Sequence, residues 1–476
     1  MVFSSLFFIY FFLALNLLIY SRMRDIKSKN IVMLVFSLIF YSWGGPQYLL
    51  LLVSMTFVSY IMALCIHTYR EHKKLFLVIE CVIMLGLLGV FKYAGFMLGS
   101  FKALTGIPEI IPEIALPIGI SFYTFQLLSY VIDVYRKEVL PQKKFWLLLL
   151  YASLFHQCIA GPIVRYKDVE HDISNRIVLQ KEVDRGIKRF CIGLAKKAIL
   201  ANGCAAVADT FLITNDAAAL AKIPAMGIWL GVFCFALQIY LDFSAYSDMA
   251  IGMGLMVGFH YKENFNYPYL ANSITDFWRR WHISLSTFFR DYVYIPLGGS
   301  RCSKSRRIFN LFVVWFLTGM WHGASWNYIL WGLYFFVFLV LEKYFLLEKF
   351  KTLPGIVSHL YALVVIYFGW ILFKFEDFNC LGTALKGMFG LNGNGFSGLQ
   401  VGLTFRNNIF FLIFAVLAVT PIFAIIRRGV IKWYKQRNAV PYLVYGYEIV
   451  APVAMLILST MALVGNSYNP FLYFQF

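Results

Sequence analysis

Residues 308–341 read IFNLFVVWFLTGMWHGASWNYILWGLYFFVFLVL, with no Lys, Arg, Asp or Glu between Arg307 and Glu342. Two apolar runs, Phe309–Leu317 and Tyr328–Leu341, enclose the stretch Thr318-Gly-Met-Trp-His-Gly-Ala-Ser-Trp. An apolar run of about 18 residues is long enough to cross ~30 Å of hydrocarbon as a helix, and lipid offers the backbone no other way to pair. Similar runs recur from end to end of the 476 residues, which are 60% hydrophobic and only 14% charged. The mean hydropathy is +0.70, whereas a soluble domain carries about a quarter charged residues. The fold class read from this pattern is an all-α polytopic membrane protein.

The net charge of +18 arises from 42 Lys and Arg against 24 Asp and Glu. These cations cluster in short connections, as at Arg22, Arg24, Lys27 and Lys29 or at Arg70, Lys73 and Lys74. Such clusters mark cytoplasmic loops beside anionic headgroups, so the partners implied are membrane lipids and not nucleic acid. Alternating sides from loop to loop gives spans at 1–20, 30–43, 48–66, 75–98 and 117–135, with Gly44-Gly45-Pro46 as an outer turn and 102–113 as an outer loop. Residues 145–163 contain His156, Gln157 and Gly161-Pro162 and read as re-entrant; 165–189 are charged and belong at the cytoplasmic surface. Further spans fall near 186–211, 225–258, 309–322, 326–345, 357–373, 408–426 and 447–464, and the expected total is about eleven. No internal repeat is visible, so residues 1–476 read as a single membrane domain with a polar block at 262–307 and a histidine-containing segment at 308–345. The eight cysteines are scattered singly, without disulfide or zinc spacing.

Within the polar block, Trp278, Trp281, His282, Leu285 and Phe289 recur at helical spacing, while Arg279, Arg280, Arg290 and Asp291 lie elsewhere around the wheel. Ser273 or Thr275 is suited to cap such a helix. An amphipathic helix in the headgroup layer accounts for this pattern, with tryptophans at the interface and arginines on phosphates. His282 falls on its apolar face, where a structural histidine is the simplest reading.

His322 is different because it sits at membrane depth, where an ionisable group is costly and marks function by default. Neutral imidazole suits proton transfer. Gly319 and Gly323 permit close approach of a helix or a substrate chain, and Trp321 with Trp326 is placed to wall a channel. A structural histidine bonded to a neighbouring helix accounts for this site equally well. No further ligands nearby support a metal.

Asp276–Ser286, the run Asp291-Tyr-Val-Tyr-Ile-Pro-Leu-Gly-Gly and Gly319-Met-Trp-His-Gly-Ala-Ser-Trp together resemble the membrane-bound O-acyltransferase superfamily, in particular its bacterial alginate O-acetyltransferase branch. Leu116–Gln126, Ala160–Arg165, Asp242–Gly252, Glu263–Tyr269 and Phe471–Phe476 agree with it too. Ala245, where glycine is common, and His156, where proline is usual, depart from the branch.

The resemblance implies helices around a central tunnel in a bacterial cell membrane, with His322 and His282 as the catalytic pair. It implies transfer of an acetyl or other acyl group from a cytoplasmic donor to polysaccharide hydroxyls outside, with a separate extracytoplasmic SGNH-type transferase as partner. The expected donor is acetyl-CoA or another acyl thioester, with no bound cofactor. In that scheme His322 is a general base or a transient acyl carrier, and His282 orients substrate or stabilises an oxyanion. Arg279, Arg280 and Arg290 are candidates for holding donor phosphates, with Trp278, Trp281 and Asp242 as further substrate-site candidates. D-alanyl transfer to teichoic acid is the nearest alternative. A transporter is a remote one, for which Asp242 and Asp248 in a span are the only favourable point.

Overall fold

The computed structural model describes residues 1–106, 114–158, 161–436, 442–465 and 472. The end of the expected 102–113 loop and nearly all of 471–476 lie outside them. The described residues form helices joined by short connections, with no strand among them. Among the described residues, eight helices are long and apolar enough to cross a membrane: Pro46–Thr68, Arg70–Thr105, Gln180–Phe211, Ala225–Met256, Trp326–Phe350, Gly355–Lys374, Leu399–Ala418 and Glu448–Gly465. The expected eleven exceed this number for a physical reason. Phe8–Arg22 is a shorter apolar helix, Ile26–Ser42 and Ile120–Tyr135 have 17 and 16 residues, and Lys304–His322 opens with three cations in its first turn.

The hairpin read at 30–66 is present, with Ile26–Ser42 followed by Pro46–Thr68. Its turn needs glycine, since Gly45 has φ 135°. Residues 145–158 are two short buried helices, Phe145–Ser153 and Phe155–Cys158, broken at Leu154. Neither is long enough to cross ~30 Å. All eight cysteines are free thiols.

Two long helices, Gln180–Phe211 and Ala225–Met256, form the spine. Cβ atoms added at Gly186, Gly193 and Gly252 would lie 2.6–2.7 Å from backbone oxygens of the facing helix, so only glycine allows this approach. Ala245 contributes one of those oxygens, opposite Gly193. Charges cross the same seam: Asp242 meets Lys197 at 2.9 Å, with each side chain 2% exposed. Asp248 meets Lys196 at 2.6 Å and Arg189 at 3.0 Å. Asp242 also accepts the Leu472 amide. It is therefore occupied as a helix–helix contact, away from the substrate role read for it.

Lys304–His322 and Trp326–Leu341 form a second tight pair, joined through residues 323–325. A Cβ on Gly332 would sit 2.3 Å from the Trp315 oxygen, and one on Gly319 2.4 Å from the Tyr328 oxygen. The close approach anticipated at Gly319 is thus made by a helix. At Gly323 it is made by the Tyr328 ring, 2.3 Å from an added Cβ. Gly332→Val should separate this pair and destabilise the protein by about 1–3 kcal/mol or more. The check is thermal unfolding in detergent; an unchanged midpoint would contradict the tight seam.

Candidate active site

The polar block does not form one helix. Ile274–Arg280 ends at Trp281, a second short helix runs over Ile283–Phe289, and His282 between them is left-handed at φ 45°, ψ 55°. Asn264 explains the break. Its backbone oxygen accepts the Ile283 amide at 3.0 Å, and its side-chain oxygen accepts the Ser284 amide at 3.1 Å. Those two amides are drawn out of the helical ladder, and the chain must turn at His282. Ser273 caps the first helix by accepting from Asp276, as expected. Thr275 instead donates to the buried Glu342, whose carboxylate also receives the Ile274 and Thr275 amides.

The same oxygen of Asn264 fixes the imidazole. The Ser284 N–H can only donate, so that atom must be the amide oxygen. His282 Nδ1, 3.2 Å from it, is therefore the protonated nitrogen. Nε2 then carries the lone pair; it is buried and has no hydrogen-bond partner among the described residues. The Ser284 hydroxyl donates to Asn264 at 2.9 Å and accepts the Ile163 amide at 2.9 Å. Asn264 is itself held, its amide nitrogen donating to Ser247 at 3.2 Å. His282 is thus a buried base with a defined tautomer.

His322 ends the helix Lys304–His322 and is 6% exposed. Neither of its nitrogens has a partner among the described residues. Three rings hold it edge-on: Trp321 at 5.1 Å, Trp331 at 4.9 Å and Phe373 at 5.5 Å between centroids. Trp321 also meets His282 at 5.5 Å, so one indole touches both imidazoles. The two histidines, forty residues apart, converge on a single aromatic wall.

The other expected site residues separate into different roles. Trp278 and Trp281 are buried in protein, at 7% and 2% exposure, and do not lie at an interface. Trp278 packs on Trp331, 5.5 Å away, and so backs the ring that holds His322. Trp326 is 51% exposed and meets Phe96, which removes it from a channel wall around His322. The three arginines form no cluster. Arg280 binds Asp276 at 3.0 Å, Arg290 binds Asp291 at 2.7 Å, and Arg279 is exposed. Burial alone would raise the Asp291 carboxyl, but Arg290 and Arg165 outweigh it and hold it below the usual carboxylate range. No group of three His, Cys, Asp or Glu side chains among the described residues could hold a metal.

A small open cleft lies beside the Asn264–Ser284 contact. Arg165, Asp168, His260 and Lys262 line it, and Ser284 is also in its wall. Ser284 Oγ lies 3.4 Å from His282 Nδ1, so the cleft reaches to within one side chain of the buried base. Sequence reasoning missed Asn264 and Ser284 as site residues, although both stand in the quoted blocks. It also missed Trp331 and Phe373, whose apolar surroundings give no signal.

A model of the membrane-bound O-acyltransferase family matches residues 137–382, which include both histidines, the cleft and Asn264. The chain is 36% identical to the probable alginate O-acetylase AlgI of Pseudomonas putida, over 100% of both proteins. It is 34% identical to the peptidoglycan O-acetyltransferase of Helicobacter pylori, over 83% of this chain and 80% of that one. Similarity to the teichoic acid D-alanyltransferase of Bacillus subtilis is 32%, over 55% of this chain and 68% of the relative.

Proposed function

The chain belongs to the membrane-bound O-acyltransferase family, and from that premise we propose that it moves an acetyl group from a cytoplasmic thioester to polysaccharide hydroxyls outside the cell. It is a multi-pass bacterial membrane enzyme of the O-acyltransferase class. The observation that carries the reading is the convergence of His282 and His322 on Trp321, with Ser284, beside His282, in the wall of a cleft. Acetyl is preferred over D-alanyl because the relatives named for O-acetylation align over all or most of the chain.

In the proposed reaction the acceptor oxygen attacks the thioester carbonyl carbon as an imidazole takes its proton. The C–S bond then breaks, and the departing thiolate receives a proton from the imidazolium. A hydroxyl is a weak nucleophile until that proton is taken, and the basic nitrogen of His322 has no hydrogen-bond partner among the described residues. The same freedom serves a transient acyl-imidazole. His282, protonated at Nδ1, offers Nε2 only as an acceptor. A neutral ring in that tautomer cannot donate to an oxyanion, so its role is as a second proton acceptor. The proposed donor is an acyl thioester such as acetyl-CoA, for which Arg165, His260 and Lys262 in the cleft wall offer basic groups. An extracytoplasmic SGNH-type transferase completes the route to the polysaccharide.

Mass analysis of surface polysaccharides from a deletion strain tests this reading. Loss of acetyl esters with D-alanyl esters intact is expected. Loss of D-alanyl esters with acetyl esters intact would overturn it.

A further inference from the structure

Lys92 lies within an apolar span, in the π-helical turn Gly89–Tyr93 of the helix Arg70–Thr105. A lysine at such a place either reaches back to the headgroups or meets a partner inside the protein. Here it meets a partner: its ammonium donates to the backbone oxygen of Trp321. The adjacent Tyr93 hydroxyl donates to the backbone oxygen of Met320 at 2.6 Å. Two consecutive side chains therefore grip two consecutive carbonyls, immediately before His322.

Those carbonyls need such partners. The last four oxygens of a helix have no intrahelical donor, and Gly323 leaves the helix in an extended conformation. In lipid no water replaces the missing donors, and a cation at a helix C-terminus is favourable in its own right. The depths agree as well. At 1.5 Å per residue Lys92 stands about 28 Å from Lys73, where its helix leaves the basic loop, and His322 about 27 Å from Lys304. A π-turn, which widens the helix locally and often marks functional sites, contains both gripping residues.

The grip matters because nothing polar holds the imidazole itself. His322 makes no hydrogen bond among the described residues, so its position follows from three packed rings and from the backbone that carries it.

We infer that Lys92 is a positioning residue for His322, clamping with Tyr93 the end of the helix that presents the imidazole. The inference rests on the catalytic reading of His322 given above. A misplacement of about 1 Å can cost about 100-fold in rate, and a loss of that order is expected when the clamp is removed.

The test uses a deletion strain complemented with the full chain or its variants. The readouts are ester-linked acyl groups on surface polysaccharide and the amount of protein in the membrane. Lys92→Met should lower ester content about 100-fold at unchanged protein level, and Lys92→Arg, which keeps a cationic donor, should recover at least a tenfold part of it. Wild-type ester content in Lys92→Met would overturn the inference, as would a Lys92→Arg no better than Lys92→Met. If Lys92→Met fails to accumulate, Tyr93→Phe decides: a reduced ester content at normal abundance supports the clamp, and an undiminished one overturns it. His322→Ala run in parallel separates the two claims. Activity in that variant removes the catalytic reading, whereas an inactive His322→Ala beside a fully active Lys92→Met removes only the clamp.

Discussion

His322→Ala should lose acyl transfer by a factor of about 10² to 10⁴, the contribution of a positioned proton acceptor, while still inserting and purifying. The expectation of a folded variant comes from the contacts. Among the described residues the ring makes no hydrogen bond that truncation would orphan, and it leaves a cavity among Trp321, Trp331 and Phe373. His322→Phe sharpens the result by filling the cavity and removing both nitrogens. It should be as inactive as the alanine variant and at least as stable. Initial rates of thiol release from acetyl-CoA, with size-exclusion profiles in detergent, provide the measurement. Turnover in either variant near that of the unmodified enzyme would refute the assignment.

Asn264→Leu should have the second largest effect, through a residue that need never touch substrate. One oxygen of Asn264 receives His282 Nδ1, the Ser284 amide and the Ser284 hydroxyl. Removing it strands a buried amide, at a cost of about 1–3 kcal/mol, and frees the imidazole to change tautomer. Once Nδ1 is the bare nitrogen, Nε2 bears the proton and cannot accept another. A rate loss of about 10² or more is expected, within the range of general acid–base catalysis. Residues acting as a unit are not additive, so Asn264→Leu combined with His282→Ala should be no slower than His282→Ala alone. Asn264→Asp retains an acceptor and should recover much of the loss. A double variant far slower than His282→Ala would mean that Asn264 acts independently of the imidazole.

Much of this architecture is written in the chain. Long uncharged runs and basic loops specify a helical membrane protein, and the interruption at Leu154 falls within the segment read as re-entrant. Both histidines were identifiable, His322 by depth and both by resemblance. The limits are equally physical. A helical wheel assumes an unbroken ladder, so it could not foresee that Asn264 takes the amides of Ile283 and Ser284 and turns the chain at His282. Wheel periodicity also placed Trp278 and Trp281 at an interface, because it counts apolar faces without telling lipid from protein. The arginines invited a phosphate site, yet Asp276 and Asp291 already hold two of them. Lys92 was a legible signal left unread: a cation within an apolar run, where an ionisable group is the criterion that singled out His322.

The charged seam between Gln180–Phe211 and Ala225–Met256 bears on how the protein is made. Lys196 and Lys197 leave the ribosome before Asp242 and Asp248, so the earlier segment first meets the bilayer with its cations unmatched. A lone lysine or aspartate is costly at membrane depth, whereas the matched pairs at 2.6 Å and 2.9 Å share that burden. The earlier segment is therefore expected to wait at the insertion machinery until the later one arrives, so that the two enter the bilayer together. Synthesis order thus becomes part of the folding code in this stretch, and a chain interrupted near residue 224 should leave the first segment poorly inserted.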